Sequence, residues 1–207
     1  MPENKRLSVA AVLLAAGRSR RFGEDNKLLA DVGGEPMIRK VAREIAGSRA
    51  APLLVVTGHD ADRIEGALAG IPAMFVPCPD HRLGLSASLG CGIAAVPPDI
   101  DGALVCLGDM PGVTARIVDR VIGMFSARGG QHIVHPRRPG GGPGHPVAWP
   151  RDLFPELMAL GGDQGGRDLI ARHAPRVTMV DGGSREALAD IDTAEALDDW
   201  RAGKREA

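Results

Sequence analysis

The chain has 207 residues, 44% of them hydrophobic, with 25 Lys and Arg against 26 Asp and Glu and a formal net charge of −1. That supplies apolar material for one sizeable core, and the near balance of charge excludes the global basic field of a nucleic-acid or anionic-membrane binder. Aromatics are 3% with no Tyr, which argues against a stacking platform for single strands, so an anion would have to be bound locally.

Leu7–Leu14 is a continuous apolar run, as in a strand buried on both faces. Its basic approach superficially resembles a secretion signal, but the run ends in Gly-Arg-Ser-Arg-Arg and continues as structure. Pro36 opens a helix to Ile45, with Met37, Val41 and Ile45 four apart. "PLLVVTG" (Pro52–Gly58) is a second buried strand, and Asp60–Gly70 a short helix capped by its aspartate and ended by glycine. Pro72–Pro77 reads as a strand, Leu85–Val96 as a small-residue helix, and Gly102–Asp109 as a further strong strand.

Thr114 caps a helix to about Arg128. "QHIVHP" and "HPVAW" read as strands around "HPRRPGGGPGHP", a Gly/Pro-rich stretch over about 136–146 that is either a loop beside a site or a hairpin tip. Asp152–Leu160 and Arg167–His173 read as helices, "RVTMV" as a strand, and "TAEALDDWRAG" as a last helix capped by Thr193. Strands alternating with helices predict an α/β fold: one Rossmann-like three-layer domain over residues 1–207 with a mostly parallel sheet. Apolar runs fall short of the ~20 residues that span a bilayer. Cys78, Cys91 and Cys106 are odd in number and lack CxxC spacing, which predicts reduced thiols packed as small core residues in a cytoplasmic protein.

Two stretches carry chemistry. "LLAAGRSRRFGEDNKLL" (Leu13–Leu29) lies where a strand would leave the C-terminal edge of the sheet, the edge at which open α/β sheets bind ligands. Gly17 and Gly23 would expose backbone N–H groups, and Arg18, Arg20, Arg21 and Lys27 would add charge-assisted hydrogen bonds, as a polyphosphate requires. The spacing fits neither GxGxxG nor the P-loop. In "VCLGDMPGV", Asp109 follows directly on a buried strand. A lone carboxylate there suits Mg²⁺ bridging substrate phosphates.

Together these stretches resemble the superfamily that transfers a nucleoside monophosphate from an NTP to a phosphate-bearing acceptor. "GLSASLGCGI", "GPGHPVAW", "LGGDQGGRDLI" and "DIDTAEAL" narrow the resemblance to the molybdenum cofactor nucleotidyltransferases, in particular the cytidylyl branch. The likeness runs from about Val9 to Leu197 and implies the nucleotide-diphospho-sugar transferase type of fold. One stretch departs from the family pattern: Cys78 and His81 stand in "CPDHRLGLSAS" where the family often has Asn-Pro-x-Trp.

By resemblance, the Ala15–Ala16–Gly17 backbone holds the nucleotide, with Gly23, Gly58, Gly84 and Ser88 around it. Arg21 and Lys27 bind the β- and γ-phosphates, while Arg18 and Arg20 face solvent or touch phosphate. Lys27, Asp109 and Arg21 form the catalytic set, and Asp109 with Asp192 (Asp190 as the alternative second ligand) holds Mg²⁺. Gly144, His145, Asp163 and Arg167 meet the acceptor. The implied reaction moves CMP from CTP to the phosphate of molybdopterin and releases pyrophosphate; the alternatives are GTP as donor, or a sugar or polyol phosphate as acceptor. The implied protein partner is a molybdoenzyme or its chaperone, met transiently. A non-catalytic nucleotide-binding relative is the contrasting reading.

Overall fold

The computed structural model describes residues 7–19, 22, 26–138, 142–162, 165–184 and 186–205. Its centre is β1 (Val9–Leu14), whose six residues are all buried. Alternation explains why every position is apolar. Val9, Ala11 and Leu13 face one core cluster, with Ile38, Val41, Val118 and Phe125. Ala10, Val12 and Leu14 face a second, with Leu89, Ile93 and Leu157. The first cluster is covered by α1 (Met37–Ala46) and α4 (Ala115–Ala127), the second by α3 (Leu85–Ala94) and α5 (Phe154–Met158). The predicted three-layer α/β fold is therefore what forms.

Between these elements lie β2 (Leu53–Thr57), α2 (Ala61–Ala67), β3 (Met74–Pro77) and β4 (Gly102–Leu107). After α4 come β5 (Ile133–Arg137), β6 (Val147–Pro150), α6 (Arg167–Arg172), β7 (Val177–Asp181) and α7 (Ala194–Arg205). Among the described residues the sheet order is β3-β2-β1-β4-β6-β5-β7. Only β6 runs against its neighbours, pairing antiparallel with both β4 and β5. The Gly/Pro-rich stretch thus joins two adjacent antiparallel strands.

Capping residues act as the sequence predicts at two helices. Thr114 Oγ1 accepts from Ile117 N at 3.4 Å, and Thr193 Oγ1 from Ala196 N at 3.2 Å. The expected Asp60 cap is different: Asp60 occupies the N-cap of α2 but makes no side-chain cap bond. The thiol expectation is also corrected. Cys78 and Cys91 form a disulfide, with Cα atoms 5.9 Å apart, and only Cys106 is free. Their separation of 13 residues carries no spacing signature. They meet because the end of β3 packs against α3, a tertiary event. Cys106 is buried, and burial pushes its thiol pKa far above the usual range. Among the described residues, no helix is long and apolar enough to cross a membrane.

Candidate active site

Three strand ends converge at one edge of the sheet. The β1–β4 register pairs Leu14 with Leu107, and Gly108 N donates to Leu14 O at 3.2 Å. A Cβ on Gly108 would stand 2.8 Å from Ile38 Cδ1 and 3.1 Å from Leu14 O, so glycine is what allows this close approach. Asp109 consequently leaves the sheet beside the loop that follows β1. On the other side of that loop, Ala15 N donates to Val56 O at 3.0 Å and His59 N to Ala16 O at 3.4 Å.

Lys27 opens a short 3₁₀ turn, Lys27–Leu29, with Asn26 as its N-cap. Asn26 Oδ1 accepts from Leu28 N at 3.1 Å and from Ser19 Oγ at 3.2 Å, and Ser19 Oγ accepts from Lys27 N at 3.2 Å. This turn aims the lysine at two carboxylates. Lys27 Nζ donates to Asp109 Oδ2 at 2.6 Å and to Asp192 Oδ1 at 2.7 Å. The Lys27 and Asp109 side chains are 13% and 18% exposed, so the pair is largely shielded from solvent screening. Burial is the largest single influence on the Lys27 ammonium and pulls its pKa down. The charge and hydrogen bonds of Asp109 and Asp192 together outweigh it and hold the pKa above its ordinary value.

Asp192 arrives by a main-chain contact: Ile191 N donates to Asp109 O at 2.9 Å. The Ile191 side chain anchors the segment in a small cluster with Val32, Met37 and Leu197. Asp190 turns the other way and accepts from Arg138 Nη2 at 2.7 Å. Asp109 Oδ1 is buried and has no hydrogen-bond partner among the described residues. An orphaned carboxylate oxygen next to a second carboxylate is a donor set that fits a divalent cation. Among the described residues no three His, Cys, Asp or Glu side chains gather, so such an ion would take its other ligands from substrate and water, as Mg²⁺ commonly does.

These groups line a cleft of about 540 Å³. Of the residues singled out from sequence, Ala16, Gly17, Arg18 and Lys27 form one wall, Gly84 and Ser88 another, and Asp109 and Asp192 the end. Ala15 and Gly58 stand behind the wall: Ala15 is 1% exposed, and a Cβ on Gly58 would strike Ala16 and His81. Gly144 and His145 lie outside the lining: Gly144 N donates to Pro136 O at 2.9 Å, and His145 Nδ1 is 3.4 Å from Val105 O of β4. Burial above all lowers the His145 pKa, with Arg138 adding to it and Val105, Asp109 and Asp190 opposing, so the ring is neutral near pH 7. Arg167 is exposed at the start of α6, away from the cleft lining. Arg20, Arg21, Gly23 and Asp163 lie outside the described residues. His81, Arg82 and Leu83 also line the cleft. The sequence singled out His81 only as a departure from a pattern. Ser19, two residues after Gly17, and Asn26, directly before Lys27, carried only the signal of that nearness.

The sequence pattern of the MobA-like NTP transferase domain matches residues 11–177. The chain belongs to that family. It carries a nucleotidyltransferase-type domain of the NTP transferase superfamily, and the matched span includes Lys27 and Asp109 of the cleft. Among solved structures, the Rv0371c protein of Mycobacterium tuberculosis H37Rv is 28% identical with a TM-score of 0.81, covering 95% of this chain and 99% of that one. A structure of Rv0371c in complex with manganese is 26% identical with a TM-score of 0.75, covering 95% and 98%. Of curated relatives, the bifunctional protein GlmU of Kineococcus radiotolerans is 34% identical over 123 residues, 58% of this chain and 25% of that protein. The transferase domain thus spans about a quarter of that relative's length. Nicotine blue oxidoreductase of Paenarthrobacter nicotinovorans is 26% identical over 198 residues, 91% of this chain and 94% of that protein.

Proposed function

We propose that this transferase domain moves CMP from CTP to the phosphate of a molybdopterin-type acceptor and releases pyrophosphate, with Mg²⁺ as its metal. The single observation that carries the transfer chemistry is Lys27, held by Asp109 and Asp192 in a cleft that the glycine loop also lines. An acceptor phosphate oxygen attacks the α-phosphorus, the bond from that phosphorus to the bridging oxygen breaks, and pyrophosphate departs. A phosphate monoester is largely deprotonated near neutral pH, so a strong general base is unnecessary. What the chain supplies is position and positive charge: backbone N–H groups around Gly17 and the Lys27 ammonium face the negative charge that develops. Asp109 and Asp192 would hold the Mg²⁺, which when bound neutralises phosphate charge.

The choice of CTP and of a pterin phosphate is supported by the Gly-His-Pro and Gly-Asp-Gln-Gly-Gly-Arg stretches rather than by contacts in the cleft. The test is pyrophosphate release from purified protein given molybdopterin and each NTP in turn, with Mg²⁺. CTP is expected to be used and Asp109→Asn to be inactive. Release with GTP alone would move the assignment to the guanylyl branch, and undiminished release in Asp109→Asn would refute the site. A second reading follows from the relative that matches along nearly the whole chain, whose name denotes an oxidoreductase. Redox turnover of nicotine blue by the purified protein, without any pyrophosphate release, would support it.

A further inference from the structure

Among the described residues, only Ser19 (φ 51°) and Asp60 (φ 57°) adopt a left-handed backbone without being glycine. Both hydrogen-bond the same side chain, that of Asn26, which is 3% exposed. Asp60 stands at a helix N-cap, the position where aspartate ordinarily bonds the first turn, and forgoes that bond. Its Oδ2 instead accepts from Asn26 Nδ2 at 3.2 Å, across 34 residues of sequence. His59 Nε2 at 3.8 Å and Arg63 Nη1 at 3.7 Å flank the same oxygen. Two strained backbones and an unused cap, all converging on one buried amide, are local rules broken without local gain. Such breaks are expected where a site is being held in shape.

We propose that Asn26 and Asp60 are positioning residues for Lys27. A carboxylate can only accept, so Asp60 dictates which end of the Asn26 amide faces it. With Nδ2 turned to Asp60, Oδ1 must face Leu28 N and the Ser19 hydroxyl, and that hydroxyl takes the Lys27 N–H. The relay ties the loop after β2 to the turn that aims Lys27 at Asp109 and Asp192. It rests on the transfer reading above for its catalytic consequence, though not for its geometry.

Exchanging the two side chains tests it. Asn26→Asp keeps the acceptor for Leu28 N and Ser19 but sets two carboxylates face to face. Its kcat for pyrophosphate release is expected to fall about 10- to 100-fold, the scale of a small misplacement of a catalytic group, with KM for CTP changed less than kcat. Asp60→Asn retains an acceptor oxygen but adds a donor, so either end of the Asn26 amide can face it, and kcat is expected to fall, though less than in N26D. The double variant N26D/D60N restores kcat, because the amide introduced at position 60 donates to the carboxylate introduced at position 26. The amide ¹H–¹⁵N signals of Lys27 and Leu28 shift in N26D and return in the double variant. An N26D enzyme with wild-type kcat, or a double variant no better than N26D, overturns the proposal, since a simple turn cap would give that result. If wild-type protein releases no pyrophosphate with any nucleotide, the transfer reading fails instead. The amide signals then decide the relay alone, and unshifted Lys27 and Leu28 signals in N26D overturn it.

Discussion

The main-chain N–H of Ile191 donates to the carbonyl of Asp109 at 2.9 Å. This bond brings Asp192, one residue further on, against the lysine that already faces Asp109. A neutral backbone contact thus builds a site of three charges from segments 82 and 165 residues away from Lys27.

Lys27→Met removes the ammonium and leaves two carboxylates facing each other. Pyrophosphate release is expected to drop on the order of 10²–10³-fold, as for loss of a group that meets developing charge. A stability effect should follow the raised Lys27 pKa. A group whose folded pKa lies above its unfolded value of about 10.4 contributes fully below that pH and loses the contribution as pH rises through the folded value. The difference in Tm between wild type and Lys27→Met should therefore be level from pH 7 to about pH 10 and narrow above it, as thermal melts at stepped pH would record.

Metal dependence should separate two neighbouring aspartates. Asp192→Asn is expected to raise the Mg²⁺ concentration for half-maximal activity by about tenfold or more, the effect of weakening a site that has few protein ligands. Asp190 is tied to Arg138, with side chains 47% and 41% exposed. Asp190→Asn should leave the Mg²⁺ titration unchanged and alter stability by about 1 kcal/mol or less, as exposed pairs do. Equal effects of the two substitutions would refute the assignment.

Glycine substitutions distinguish packing from ligand approach. Gly108→Ala places a methyl 2.8 Å from Ile38 Cδ1 and 3.1 Å from both Leu14 O and Leu28 Cδ2. Overpacking of this kind should destabilise by about 1–3 kcal/mol, read in urea unfolding, and displace Asp109. At Gly17 a methyl meets no atom of the described residues within 4 Å, its chain neighbours aside. Gly17→Ala should keep stability within about 0.5 kcal/mol of wild type yet weaken CTP binding, because the methyl enters the space beside the exposed N–H groups. Unimpaired CTP binding in a calorimetric titration would remove Gly17 from the nucleotide wall.

His145 should make the protein acid-sensitive. Its folded pKa lies below the unfolded value of about 6.5, so the unfolded chain takes up a proton first. The favourable contribution is complete above about pH 6.5 and declines as pH falls toward the folded pKa. His145→Gln, which carries no titrating ring, should lose less stability than wild type between about pH 6.5 and pH 5. Parallel stability curves for the two proteins would show that His145 does not titrate there.

Much of the fold was legible because local rules and tertiary packing agree. A strand buried on both faces must be apolar throughout, which exposed β1, β2 and β4 as unbroken runs. Thr114 and Thr193 marked helix starts because a hydroxyl there meets an otherwise unpaired N–H. At Asp60 the same rule points to an ordinary cap, and it fails because the carboxylate bonds a residue brought in from the first loop. The Cys78–Cys91 pair was hidden for a similar reason, as a spacing of 13 says nothing until β3 and α3 pack.

By itself, then, the sequence determined an alternating α/β chain with a glycine-rich, basic loop after its first strand and an aspartate after its fourth. Those are properties of contiguous residues, and periodicity, glycine content and charge are read along a chain. The three-dimensional structure alone decided that β6 runs antiparallel between β4 and β5. It also decided that Asp192 rather than Asp190 reaches Lys27, and that Asn26 ties Asp60 to the lysine turn. Each of these is a contact between distant segments. Its partner is chosen by which surfaces the core brings together, and that choice leaves no local trace in the residues that make it.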